Sequence, residues 1–183
     1  MIRDIKDDVK KVLYSEEQLA KRVKEIAEEI SKDYAGKDLL VVGILKGSVL
    51  FTSDLIKNIT IPCEIDFMAV SSYGNSAQTS GVVRIVKDLD SDIENKHVLI
   101  VEDIVDTGTT LSYLLEYLKA RKAASIEIVA LLDKEARRTS NISAKYKGFD
   151  VPDEFIVGYG IDYAEKYRNL PFIGALKEEI YNK

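Results

Sequence analysis

One cysteine and one histidine are the whole thiol and imidazole supply of this 183-residue chain. Cys63 therefore has no second thiol for an intrachain disulfide, which fits a reducing cytoplasm, and its place after Pro62 suggests a packing role. A lone Cys and a lone His cannot build a zinc cluster. Any metal is expected to be hard and held by oxygen, which means Mg²⁺. No apolar run approaches the about 18–20 residues that a membrane helix needs. The opening stretch, M-I-R-D-I-K-D-D-V-K, has no apolar signal-peptide core. With a formal net charge of −5 there is no global positive field to draw in nucleic acid. Internal repeats, low-complexity runs and linker-like stretches are also missing. What remains has the composition of an ordinary folded domain, with 46% hydrophobic and 31% charged residues, and enough length to bury a sizeable core.

The chain is organised around residues 97–118, H-V-L-I-V-E-D-I-V-D-T-G-T-T-L-S-Y-L-L-E-Y-L. The apolar run Val98 to Val101 reads as a buried strand that stops at two adjacent acids, Glu102 and Asp103. Asp106 follows, then Thr107, Gly108, Thr109 and Thr110. After these the apolar period changes, because Leu111, Leu114, Leu115 and Leu118 share one helical face. Thr109 or Thr110 is placed to cap that helix. Its first turn offers unpaired N–H groups and the positive end of the dipole, and Gly108 allows close backbone approach. Such a loop suits a phosphate. The carboxylates before it repel phosphate, so they suit sugar hydroxyls, a proton to be abstracted, or a metal ion. D-T-G-T is also the aspartic protease triplet, but that motif belongs in an all-β setting and here a leucine-patterned helix follows. D-x-G-T-T-x-S also matches actin-like ATPases, where a β-hairpin follows in a much longer chain.

The rest of the chain alternates strands and helices. Ser15 and Gln18 fit a capping box for a helix from about Glu16 to Tyr34, stopped by Gly36. D-L-L-V-V-G-I-L (38–45) reads as a strand buried on both faces, ended by Lys46-Gly47-Ser48, with a helix over Val49 to Ile59. Strands are expected after Pro62 and over Val82 to Val86, an antiparallel pair with the mobile polar tip 71–81 between them. Further strands are expected at Ser125 to Leu132 and Phe155 to Tyr159, with a charged turn at Glu135 to Asn141. This is an α/β pattern with a mainly parallel sheet, whose ligands bind beyond the carboxyl ends of the strands. The unusual loops at Lys46, Glu102 and Lys134 sit there. His97 is expected to be exposed and inert.

The loop E-D-I-V-D-T-G-T-T resembles the phosphoribosyl-diphosphate signature of the type I phosphoribosyltransferases. With V-G-I-L-K-G, V-S-S-Y-G-N, L-L-D-K and V-P-D-E-F-I-V-G-Y-G-I-D-Y-A-E-K-Y-R-N-L-P, in this order, nearly the whole chain resembles the bacterial hypoxanthine-guanine phosphoribosyltransferases. The resemblance implies one domain over 1–183 with the type I phosphoribosyltransferase fold. That fold has a central mainly parallel sheet flanked by helices, a flexible lid loop, and a small purine-binding hood from the C-terminal part and the N-terminal segment. It implies purine salvage, with phosphoribosyl diphosphate and hypoxanthine or guanine as substrates, IMP or GMP as products, and a homodimer or homotetramer. By the same resemblance Asp106 is the general base. Glu102 and Asp103 accept from the ribose hydroxyls, and Thr107, Gly108, Thr109 and Thr110 hold the 5-phosphate. Lys46 (after a cis peptide bond), Gly47 and Arg168 meet the pyrophosphate, with Ser72 and Tyr73 closing over it. Lys134 donates to the 6-oxygen of the purine, Phe155 stacks on it, and carbonyls near Ile156 and Asp162 accept from guanine's amino group. Asp162 is the direct Mg²⁺ ligand, with Glu102 and Asp103 as further carboxylates beside the metal. Some relatives carry Lys where Thr109 stands, so phosphate binding here leans more on amides.

Two other readings compete. A regulator on the same fold that binds nucleic acid should show a basic face or an added domain, and this acidic chain has neither. A transferase for xanthine or adenine is the other. Lys134 argues for a 6-oxopurine, since a donor there leaves adenine's amino group unpaired, and no donor for xanthine's extra oxygen stands out.

Overall fold

The structure is a computed structural model that describes residues 4–72 and 83–182. Its strands are β1 (Val9–Tyr14), β2 (Leu39–Leu45), β3 (Glu64–Ser72), β4 (Val83–Lys87), β5 (His97–Val105), β6 (Ser125–Asp133), β7 (Tyr146–Asp150), β8 (Ile156–Val157) and β9 (Ile173–Leu176). Its α-helices are α1 (Glu16–Asp33), α2 (Val49–Asn58), α3 (Thr109–Lys119) and the one-turn α4 (Glu178–Tyr181). Six strands form the main sheet in the order β4-β3-β2-β5-β6-β7, parallel throughout except for the β3–β4 pair. A second sheet, β1-β9-β8, is antiparallel and joins the N-terminal strand to two C-terminal ones.

Local sequence explains the main elements. Ser15 accepts from Gln18 N while the Gln18 side chain accepts from Ser15 N, so the capping box is formed and α1 starts where its sequence says. Leu19, Val23, Ile26, Ala27 and Ile30 form the buried stripe of α1 against the sheet. Burying each large aliphatic chain is worth about 1.5–3 kcal/mol. Leu111, Leu114 and Leu118 of α3 close the opposite face of the sheet over Val98, Ile100 and Ile128. β2 and most of β5 lie between the two cores, and β2 is buried along its length apart from half-buried Leu45, which explains their unbroken apolar runs.

Several boundaries differ from the sequence reading. β5 does not stop at Glu102; it runs to Val105, because the ladder with β6 continues at Ile104↔Leu132 and Val105↔Asp133. The strand expected over 155–159 shortens to β8, since Gly158, Tyr159 and Gly160 all have positive φ and turn the chain. β1, β7 and β9 were not anticipated from the sequence. His97 is half-buried rather than exposed, with Nδ1 2.7 Å from Ser125 Oγ and its ring edge-on to Tyr34. Cys63 is half-buried and packs on the α1-side core, as expected. Tyr73 and most of the polar tip lie outside the described residues; Ser72 is the last residue of β3, its backbone opposite Val83. Among the described residues no helix is long and apolar enough to cross a membrane.

Candidate active site

At the carboxyl ends of β2, β5 and β6 the chain opens two adjoining clefts. The larger, of about 700 Å³, is bounded by Lys46 and Gly47, by Glu102 to Gly108, and by Asp162 and Arg168. The smaller, of about 360 Å³, is bounded by Lys134, Arg137, Phe155, Ile156 and Tyr181. Ile104 and Asp106 line both.

The floor of the larger cleft is built by backbone approach. The Leu45–Lys46 peptide is cis, as the resemblance implied. A side chain on Gly47 would begin 1.7 Å from Asp103 Oδ2, so the loop after β2 lies directly against that carboxylate. Gly160 (φ +101°) in turn lies against Gly47, where an added Cβ would stand 2.0 Å from the Gly47 carbonyl oxygen. Arg168 Nη1 donates to Gly160 O at 2.8 Å and Nη2 meets Asp162 Oδ1 at 2.9 Å, while Nε is buried with no partner among the described residues. Arg168 lines the cleft, where a guanidinium suits an anionic oxygen. Lys46 is exposed and pairs with Glu165 at 3.1 Å, a surface contact easily exchanged for a more charged anion.

The acids differ in their surroundings. Glu102 is buried, and burial followed by the Asp103 charge raises its carboxyl well above the ordinary range. Burial likewise pushes Asp103 up to about 6, against the pull of backbone N–H groups. A carboxyl with a raised folded pKa holds its proton more tightly when folded. Its ionisation therefore costs stability, a cost absent below about pH 4 and complete above about pH 6. Asp103→Asn should then stabilise the ligand-free protein more at pH 7 than at pH 4. Thermal unfolding of both proteins at the two pH values measures this; an equal difference at both would remove the burial cost.

The phosphate loop departs from the expected capping. Gly108, not Thr109 or Thr110, is the N-cap of α3, at φ +81° and without a side-chain cap bond. A Cβ there would fall 2.1 Å from Ser140 Oγ, which donates to Thr107 O. The cap thus needs a left-handed residue without a side chain, and both threonines lie inside the first turn with hydroxyls available to a ligand. Thr107 Oγ1 is 3.2 Å from Thr109 Oγ1.

In the smaller cleft Lys134 is buried and donates from Nζ to Glu154 O at 2.9 Å. Phe155 is 38% exposed, which suits a ring kept for a ligand rather than for the core. Asp106 Oδ1 is buried and has no partner among the described residues, and Oδ2 is 3.9 Å from an Arg137 guanidinium nitrogen. Asp162 borders the larger cleft, beside Arg168, while Ile156 borders the smaller.

The carboxylates expected at a metal are not gathered into a ready-made trio. Among the described residues the carboxylates whose oxygens lie within 4.8 Å of one another are Asp133, Glu135 and Asp150. Lys147 pairs with all three and Arg138 with Asp133, so two cations already offset most of that cluster's charge. Sequence reasoning missed Arg138. Its guanidinium bonds Val105 O, Asp106 O, Ile142 O and the Asp133 carboxylate, which fixes the backbone that carries Asp106. Within the basic run Lys134 to Arg138 nothing local separates it from Arg137.

Residues 10–164 match the family described as Phosphoribosyl transferase domain. Hypoxanthine-guanine phosphoribosyltransferase of Bacillus subtilis is 54% identical over 177 residues, covering 97% of this chain and 98% of that one. The Staphylococcus aureus protein of that name is 56% identical over 176 residues, covering 96% and 98%. A crystal structure of a Staphylococcus aureus hypoxanthine phosphoribosyltransferase superposes with a TM-score of 0.95 at 55% identity, covering 100% of both chains.

Proposed function

The chain belongs to the phosphoribosyltransferase family, and from that premise we propose that it moves the 5-phosphoribosyl group of phosphoribosyl diphosphate onto hypoxanthine or guanine, releasing pyrophosphate. The observation that carries this reading is the junction of two chemically distinct clefts at Asp106. One cleft offers amides, hydroxyls and cations to phosphates. The other offers a flat aromatic and a buried ammonium to a base.

In this reading Asp106 takes or shares the proton of the purine five-membered ring as the new bond to ribose forms. Asp106 lines both clefts, which makes its carboxylate the acceptor available for it. Glu102 and Asp103 accept from the ribose hydroxyls, which bring donors to two carboxylates that burial disfavours as bare anions. Thr107 to Thr110 receive the 5-phosphate at the start of α3. Arg168, Lys46 and Gly47 receive the pyrophosphate, on which negative charge grows as the bond to ribose breaks. Ser72 and Tyr73 belong to the segment that would close over it. Lys134 would donate to the 6-oxygen and Phe155 would stack on the base, with the backbone at Ile156 facing guanine's amino group.

The donor set is oxygen throughout, which fits Mg²⁺. Asp162 would be its direct protein ligand, with Glu102 and Asp103 as further carboxylates lining the same cleft. That Glu102, Asp103 and Asp162 do not form a preassembled trio agrees with an ion held by one or two carboxylates plus substrate oxygens. When bound, it would offset the charge of the leaving pyrophosphate.

The test is a spectrophotometric assay with phosphoribosyl diphosphate, Mg²⁺ and, in turn, hypoxanthine, guanine, xanthine and adenine. Turnover is expected with hypoxanthine and guanine, is lost on adding a chelator, and is absent with adenine. Turnover of adenine would overturn the role of Lys134. Tight phosphoribosyl-diphosphate binding with no turnover of any base would overturn the enzyme reading.

A further inference from the structure

Phe155 is not a lone exposed ring. Tyr181, the last residue of α4, lies face to face with it at 4.9 Å between centroids and 27° between planes. Tyr163 meets it edge to face at 5.0 Å and 82°. Phe155 and Tyr181 both line the smaller cleft, so Tyr181 forms part of its wall as well as backing its neighbour. The cleft's volume of about 360 Å³ is large enough for a bicyclic base.

The C-terminal turn is also fastened where it needs to be. Lys177 N donates to Asp8 O at 3.0 Å, Lys177 Nζ donates to Asp7 O at 2.6 Å, and Ile180 and Tyr181 pack on Val157, Leu170 and Leu176. A one-turn helix gains little from its own hydrogen bonds. Its order comes from these contacts, and their consequence is to hold one aromatic ring over the cleft.

We infer that Tyr181 is a positioning residue for the purine: it fixes the plane of the Phe155 ring and walls the base into the smaller cleft. A ring that is 38% exposed and unsupported would sample rotamers in which its face is turned from the base. Backed by Tyr181 it is preorganised, and the base does not bear the cost of ordering it. The phenol hydroxyl has no part in this, so the aromatic face alone is required. The inference rests on the purine reading of this cleft and adds to it a residue from the far end of the chain.

The experiment compares the full chain with Tyr181→Phe, Tyr181→Leu and Tyr181→Ala, measuring KM for hypoxanthine at saturating phosphoribosyl diphosphate and the reverse. Tyr181→Phe should match the parent. Tyr181→Leu and Tyr181→Ala should raise the hypoxanthine KM roughly three- to tenfold, the scale of one aromatic pair, and leave the phosphoribosyl-diphosphate KM unchanged. General loosening of the fold would move both constants and would overturn the inference. So would an unchanged hypoxanthine KM. A lowered one would do the same, because it would mean that Tyr181 occupies the place of the base. Failure of the parent to turn over hypoxanthine would instead sink the reading beneath it.

Discussion

Asp106→Asn is expected to lower turnover roughly 10²- to 10⁴-fold, about 3–5 kcal/mol in the barrier, while leaving nucleotide binding nearly intact. The substitution keeps the shape of the side chain and removes its charge together with its ability to accept a proton. Its surroundings should tolerate the change. The Asp106 backbone is held by Arg138 Nε at 3.1 Å, independently of the carboxylate. The nearest cation, on Arg137, is 3.9 Å from Oδ2 and pairs more closely with Asp153 at 2.7 Å. Steady-state kinetics with hypoxanthine, together with calorimetric titration of the nucleotide product, separate the two effects. Normal turnover in the variant would remove Asp106 from the role of base, and lost nucleotide binding would show that its charge or shape serves the ground state instead.

Gly160→Ala should be nearly as damaging, and for a reason of packing rather than chemistry. At φ +101° any L side chain is strained, at a cost of about 1–3 kcal/mol. Here the new Cβ would also stand 2.0 Å from Gly47 O and 3.2 Å from Gly47 C, which are backbone atoms with no side-chain freedom to yield. To relieve the overlap, either the turn that carries Asp162 and Arg168 moves out or the loop carrying Lys46 and Gly47 moves in. A combined loss of about 3 kcal/mol corresponds to a melting point lower by roughly 6–12 °C for a chain of this size. The phosphoribosyl-diphosphate KM should rise by at least about tenfold, since 1.4 kcal/mol of misplaced contact suffices for that. Gly36→Ala is the matched control, with φ +75° and nothing within 4 Å of the added Cβ. It should lose some stability and leave the KM unchanged. If the two variants behave alike, the contact between Gly160 and Gly47 does not hold the pyrophosphate end of the site together.

Much of the fold was legible because its causes are local. The Ser15–Gln18 box sits within one turn of helix, the leucine stripe of α3 within three, and the apolar run of β2 is explained by its burial between two cores. β1, β7 and β9 were harder to see. The stretch V-K-K-V-L-Y has a burial pattern set by β9, a partner from the far end of the chain, and without that partner it reads as neither strand nor helix. The thresholds of β5 and α3 were misplaced for a related reason. Where β5 ends depends on how far β6 runs beside it, and the cap falls at Gly108, where the chain is left-handed and Ser140 stands in the space of a side chain.

The site divides the same way. Sequence alone determined which chemistry is present: carboxylates beside a hydroxyl- and amide-rich turn, a lysine after one buried strand, an arginine and a phenylalanine near the C-terminus. Those are properties of residue types and short spacings, and they were sufficient to assign a family resemblance. Only the tertiary structure decided that Asp106 stands where two clefts meet, that Gly47 is pressed between Asp103 and Gly160, that Arg138 rather than its neighbour pins the backbone at Asp106, and that Tyr181 backs Phe155. The physical reason is that each of these is a separation of a few ångströms between segments distant in sequence. Such separations are fixed by how the sheets and helices pack, and no short stretch of the chain contains them.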